Sequence, residues 1–499
     1  MLAAMRRSAP PRLHAWQLCC ILAAHAVALP RRCAHNRMLR EGFMRRRRLA
    51  QFLAELVLFC GVFAFPAMLR SQETPTVRTP PPQQLETPAT QPPPNAPTEI
   101  ERYTLSHDRY EKAVRYSRAG YALYFCSVFV GFAVLLLVLR TGLAGRIRDY
   151  AQRKTENRFL QGLIFIPILV LILRFADLPV HIIWHALSLH YQQSVQGWGS
   201  WLLDWSKVGL VLIAFYIIMG LLVFFAIRWS PRRWWFYFWL IALPFLLGMF
   251  FLEPLIIDPL FFKFEPLRAT QPQLTSDLVK LTRRAGLNIP PERMFLMDAS
   301  VKTNELNAYV TGFGASKRVV IYDTLLKKMS PQETLFVFGH ESGHYVLNHI
   351  RNGILFFAAV LLLGLFLAYW LLNAVLDRWG LRWKIYGPHD WAALAILLLL
   401  IDGMAFLSSP VVNGYSRMEE HDADVFGLEL IHGIVPGSAQ VAAHSFQAMG
   451  ENDLADPNPP PFITFWLYTH PPLAERLVFA HSYDPWGKSQ PPKYIKEPQ

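Results

Sequence analysis

Six apolar blocks, at about 121–139, 159–180, 208–227, 234–256, 353–376 and 391–413, recur along the chain. Each is close to the ~20 residues that an α-helix needs to cross a hydrocarbon core of ~30 Å. A further apolar run, 49–69, follows four arginines at 45–48. The pattern predicts a mainly α, polytopic membrane protein of about seven spans. Tryptophans crowd the ends of these blocks, as in "GWGSWLLDW" (197–205) and "RWSPRRWWFYFW" (228–239), where an amphipathic ring suits the headgroup layer.

Two polar blocks stand outside the spans, 264–352 and 414 to the end. In the first, "QPQLTSDLVKLTRRAGL" (271–287) has helical periodicity, whereas "RMFLMD" (293–298), "NAYVTG" (307–312) and "KRVVIYD" (317–323) are short, β-rich and separated by turn residues. A small sheet is expected there. "SPQE" then offers Ser330 as N-cap, Pro331 at the first helical position and Glu333 three residues on, a capping box that announces a helix. The two blocks are expected to build one soluble unit.

The resulting order is a basic amino-terminal region (1–48), a first membrane segment (49–69), a linker (70–103), spans two to five (104–263), one half of the soluble unit (264–352), spans six and seven (353–413), its other half (414–481) and a tail (482–499). Met44 is an alternative start. The 49–69 run reads as a signal peptide or an uncleaved anchor; the anchor is favoured because "FPAMLRSQ" lacks a clean small-x-small cleavage site. The linker, "SQETPTVRTPPPQQLETPATQPPPNAP", has too much proline and too few apolar residues to bury a core.

Composition agrees with a membrane protein: 53% hydrophobic, 17% charged, mean hydropathy +0.23. The net charge of +13 would suggest nucleic acid, but residues 1–48 hold eleven arginines against one acid, so the rest of the chain is close to neutral and no nucleic-acid partner is expected. The lipid bilayer is the expected partner. Loops 140–158, 228–233 and 377–390 carry twelve basic residues, while the opposite loop 181–207 carries only Lys207. By the positive-inside rule both halves of the soluble unit then lie outside the cytoplasm, in a bacterial inner (cell) membrane. None of the five cysteines falls in the polar blocks, so no thiolate metal site is supported.

The helix after Ser330 carries "HESGH". His340 and His344, four apart, project from one helical face within reach of a single ion, and Glu341 lies beside them. Zinc needs ligands that are neutral or anionic at pH 7, and a carboxylate at its flank can take a proton from the attacking water of peptide hydrolysis. The bland reading is a surface helix with two unconnected histidines. With 16 histidines in the chain, an accidental HExxH is expected only ~0.02 times. A catalytic zinc wants a third protein ligand. His349 falls one residue short of the zincin spacing, where Ile350 stands, and reads as an outer neighbour of the site or as solvated. Glu420, in "SRMEEHDAD", is the better candidate. Asp424 lies four residues on and can receive the free ring N–H of a ligating histidine, whereas Glu419 is followed four on by Ala423.

Together "LSLHYQQSVQGWGSWLLDWSK", "IIDPLFFKFEPL", "NAYVTGFGASKRVVIYDTLL", "HESGHYVLNH", "SRMEEHDAD" and "THPPLAERL" resemble the integral-membrane zinc metalloproteases of the CAAX prenyl protease 1 (Ste24-like) type, peptidase family M48, over about 104–481. The resemblance implies seven membrane helices around a chamber, a small α+β zincin-type domain and one zinc ion per chain. It aligns Glu420 with the third ligand and Asp424 with its supporting carboxylate. It also implies that His470 stabilises the oxyanion, that Arg476 lines the site, and that Asn307 and Ala308 lie on the strand that binds the substrate backbone. Tyr345 departs from the family's usual tryptophan, and 1–103 has no counterpart. The expected function is a membrane-embedded zinc metalloendopeptidase acting on membrane-associated or exported proteins, with Glu341 as general base. Processing of prenylated CAAX termini is the alternative, and a scaffold or transporter with a vestigial metal site is the alternative from outside enzymology.

Overall fold

The computed structural model describes residues 102–312 and 317–495. The basic region, the 49–69 segment, nearly all of the linker and the last four residues lie outside the described residues, so the first expected span does too. Among those described, five helices are long and apolar enough to cross a membrane, or six if a bent pair counts as one span.

They begin with α1 (His107–Arg140), α3 (Arg158–His190) and α4 (Trp198–Trp229). Next comes α5 (Trp234–Leu252), which continues after a 43° bend into Glu253–Leu260. The bend falls at Pro254 within a π-turn over Glu253–Ile257, the two usual causes of a helix kink. Between α1 and α3 lies α2 (Leu143–Lys154), a helix that arginine-rich "AGRIRDYAQRK" did not advertise. It buries Ala144, Ile147 and Ala151 against the bundle and keeps Arg146, Arg153 and Lys154 out.

The insert opens with a short strand β1 (Phe264–Pro266), then α6 (Pro272–Arg284), β2 (Met294–Met297), β3 (Ala308–Thr311) and β4 (Arg318–Tyr322). The sheet order is β1-β2-β4-β3, with β2 and β4 parallel and the outer pairs antiparallel. The three expected strands are present; β1, three residues ending in proline, gives too little pattern to be read from sequence. Strand β3 occupies one edge.

After the sheet comes α7 (Pro331–Val346), started by the Ser330–Glu333 capping box and stopped at Asn348, which takes a left-handed φ of 59°. The sixth expected span is α8 (His349–Val375). The seventh is part of α9 (Ala393–Ile431), an unbroken helix of 39 residues. At 1.5 Å per residue α9 is about 60 Å long, roughly twice a hydrocarbon core, so the last span and "SRMEEHDAD" share one rod. Helices α10 (Ser438–Asp453), α11 (Pro461–Leu467) and α12 (Leu473–Ser482) follow. Both polar blocks feed one core, in which Val319, Val320 and Ile321 of the sheet meet Phe336 and Phe338 of α7, Phe426 of α9, Phe446 of α10 and Leu477 of α12.

Candidate metal centre

Close packing of α7 on α9 builds the site. A Cβ at Gly427 of α9 would lie 2.9 Å from the backbone nitrogen of His340, and one at Gly343 of α7 would lie 3.2 Å from Cα of Ala423. Glycine at these positions lets the two backbones touch, which carries the short carboxylate arm of Glu420 to the imidazoles of α7.

There His340 Nε2 lies 3.2 Å from His344 Nε2 and 3.2 Å from Glu420 Oε2, and His344 Nε2 lies 3.8 Å from Glu420 Oε1. A tetrahedral zinc with bonds of ~2.0–2.1 Å separates its ligand atoms by ~3.3–3.4 Å; the two edges that meet at His340 Nε2 are close to that spacing, and the three ligand atoms lie within 4.8 Å of one another. Among the described residues these three form the one such cluster of His, Cys, Asp or Glu, and Glu420 Oε2 makes no hydrogen bond although it is buried. A buried carboxylate oxygen without a hydrogen bond, 3.2 Å from one ring nitrogen and beside a second imidazole, suits a place for a cation.

The surroundings fix the tautomers. His340 Nδ1 lies 2.8 Å from Asp424 Oδ1, so its N–H points there and Nε2 keeps its lone pair for the centre. Asp424 is held in turn by Arg476, whose Nε donates to Oδ2 at 2.8 Å and Nη2 to Oδ1 at 2.6 Å, a two-bond fork. Burial opposes the charge on Arg476, but Asp424 outweighs it and keeps the guanidinium protonated. Burial opposes the charge on Glu420, but His470, His344 and His340 outweigh it and hold its carboxyl well below the usual carboxylate range. Burial pushes His344 down to about 3, the neutral form a ligand needs. At His340 burial is overridden by Asp424 and Glu420, which raise it to about 10; a proton there occupies the position a metal cation would take.

Other expected residues converge on the same place. His470 Nε2 lies 3.1 Å from Glu420 Oε1. Glu341 follows His340 on α7, only partly buried. His349 is buried, with Nδ1 3.1 Å from Nδ1 of His344, so it adjoins the site rather than facing solvent. Glu419 stands outside the cluster. Asn307 and Ala308 lie at the start of the edge strand, where the Asn307 carbonyl accepts from Tyr322 N at 3.1 Å. Since bonded and open residues alternate in an antiparallel pair, residues 307, 309 and 311 face β4 while Ala308 and Val310 turn their N–H and C=O to the open edge. Val310 was not singled out by sequence, although two-residue alternation from Ala308 points to it.

The family model for Peptidase family M48 matches residues 268–483, and that for "CAAX prenyl protease N-terminal, five membrane helices" matches 88–263. The chain is 34% identical over 368 residues, 74% of its length and 84% of the relative's, to "Uncharacterized metalloprotease YhfN" of Bacillus subtilis (strain 168). To "CAAX prenyl protease 1 homolog" of Homo sapiens it is 25% identical over 384 residues, covering 67% of this chain and 76% of that one. The crystal structure of S. mikatae Ste24p superposes with a TM-score of 0.64 at 22% identity, over 75% of this chain and 89% of that chain, a likeness of fold.

Proposed function

The chain belongs to peptidase family M48 as an integral-membrane metalloprotease, and from that membership we propose that it is a zinc metalloendopeptidase cutting membrane-associated or exported proteins. The observation that carries the proposal is the grouping of His340, His344 and Glu420, whose ligand atoms lie within 4.8 Å of one another, with the two spacings at His340 Nε2 near those of a tetrahedral zinc.

These three side chains would hold the metal. The chemistry a zinc ion would supply there is acidification of the attacking water, to a pKa of ~7, and polarisation of the scissile carbonyl. Glu341 takes the proton of the attacking water and returns it to the leaving amine. His470, beside Glu420, donates to the oxyanion as the carbonyl becomes tetrahedral. Asp424, gripped by Arg476, keeps His340 in the tautomer that offers Nε2. The substrate backbone adds to β3 as a further strand, pairing with Ala308 and Val310, which aligns one peptide bond with the site.

The test is hydrolysis of dye-labelled casein by the purified chain, abolished by 1,10-phenanthroline and restored by zinc. Absence of hydrolysis with every divalent metal tried would sink the proposal. Relatives named CAAX prenyl protease 1 favour a second reading, the processing of prenylated carboxy termini. A strong preference for a farnesylated CAAX peptide over the same peptide without its lipid would select it.

A further inference from the structure

The segment that brings His470 to Glu420 has little regular structure of its own. Helix α11 is seven residues long, and Tyr468, Thr469 and His470 follow it in extended or bent backbone. Its carbonyls are instead gripped from α9. Arg417 Nη1 donates to Thr464 O at 3.0 Å and to Tyr468 O at 2.5 Å, and Asn413 Nδ2 donates to Trp466 O at 2.6 Å. Arg417 lies three residues, one helical turn, before Glu420. A single guanidinium thus fixes the backbone two residues before His470 from the same turn of helix that presents the third proposed metal ligand.

We propose that Arg417 is the positioning residue for His470. The inference rests on the reading of His470 as oxyanion donor. An oxyanion donor works only if it is held before charge develops, since a side chain that must first be collected loses the advantage of preorganisation. His470 is partly exposed, with a side chain 23% accessible, so burial alone does not fix it. Its Nε2 meets Glu420 Oε1 at 3.1 Å, a contact of the working nitrogen itself; behind that nitrogen, further contacts include Thr469 Oγ1 to its Nδ1 at 2.9 Å and Tyr121 Oη to Tyr468 Oη at 2.6 Å. Of these last two, the first moves with the segment, and the second joins it to α1 rather than to the ligand helix. Arg417 and Asn413 refer the segment to α9, and of the two Arg417 bonds nearer His470. Arginine suits the task because both hydrogens of its Nη1 are held in the guanidinium plane, one for each carbonyl, whereas the ammonium of a lysine is a mobile point charge.

A double-mutant cycle in the full chain, with dye-labelled casein as substrate and bound zinc measured alongside, tests this. His470→Ala should lower kcat by about 10²–10³-fold, the usual effect of removing one oxyanion donor. Arg417→Gln should lose at least tenfold in kcat with KM and zinc content little changed, and should cause no further loss when His470 is already alanine. Arg417→Lys, which keeps a charged donor and removes the chance that loss of the cation merely unfolds the segment, should fall between wild type and Arg417→Gln. Losses from Arg417→Gln that multiply with those of His470→Ala, or zinc that leaves with Arg417, would overturn the positioning role alone. An unchanged kcat in His470→Ala would overturn the oxyanion reading and this inference with it.

Discussion

At the scale of single residues the division of labour between neighbouring carboxylates is testable. Glu341→Gln removes a base but no ligand, so kcat on casein should fall by about 10²–10⁴-fold while zinc stays near one per chain. Metal analysis beside the assay decides it, and substantial residual activity would take the role from Glu341. Glu420→Ala should lose zinc and activity together, whereas Glu419→Ala, outside the cluster, should keep both; metal loss from the 419 variant would invert the assignment. These residues were legible in the sequence because helical spacing alone puts i and i+4 on one face. Beyond the meeting of Glu420 and Asp424 with the α7 histidines, which metal chemistry anticipated, spacing could not give contacts between elements distant in sequence. The edge-on contact of His349 with His344 follows from the left-handed turn at Asn348, and the grip of Arg417 on Thr464 and Tyr468 depends on where α11 lies.

At the scale of elements, the approach of α7 to α9 sets the metal geometry. Gly427→Ala adds a methyl group 2.9 Å from the His340 backbone nitrogen. The helix itself gains up to ~1 kcal/mol from losing a glycine, but overpacking of a tight contact costs ~1–3 kcal/mol and must be relieved by moving α7 away from Glu420. Zinc affinity, read by competition with a chelating dye, should weaken at least tenfold. Gly403→Ala, on the same helix with nothing within 4 Å of the new methyl, is the control and should leave affinity unchanged. Equal affinities in the two variants would remove the close approach from the explanation. Most long helices were readable as blocks of apolar sequence; their true ends were not. Helix α9 runs through the change from "ILLLL" to "EEHDAD" because composition registers the solvent around a helix, not whether its backbone bonds continue. Strand β1 escaped because it is only three residues long, and helix α2 because its apolar stripe, Ala144, Ile147 and Ala151, is narrow and made mostly of small residues.

At the scale of the whole molecule, the two ends of the bundle are chemically distinct. At one end Arg148 of α2 donates to Lys384 O at 2.8 Å and pairs with Asp390, so loops 140–158 and 377–390 meet. At the other end the α3–α4 connection meets the unit that holds the site. Ser194 bridges Thr303, and Gln193 Nε2 donates to Asn452 O at 2.9 Å. The metal cluster therefore lies at the end away from the twelve basic loop residues. Short basic loops are retained in the cytoplasm, whereas long domains translocate with little regard to charge, so the short loops carry the vote. We predict a site facing away from the cytoplasm. The check is a cysteine at Lys327, whose side chain is 59% accessible on the same unit as the cluster, in a chain whose own cysteines are changed to serine. Labelling of intact cells by a membrane-impermeant thiol reagent is expected, with a cysteine at Arg153 labelled only after lysis. The reverse pattern would place the cluster in the cytoplasm, and would mean that the basic loops are held outside by packing such as the Arg148–Asp390 pair, against their electrostatic preference.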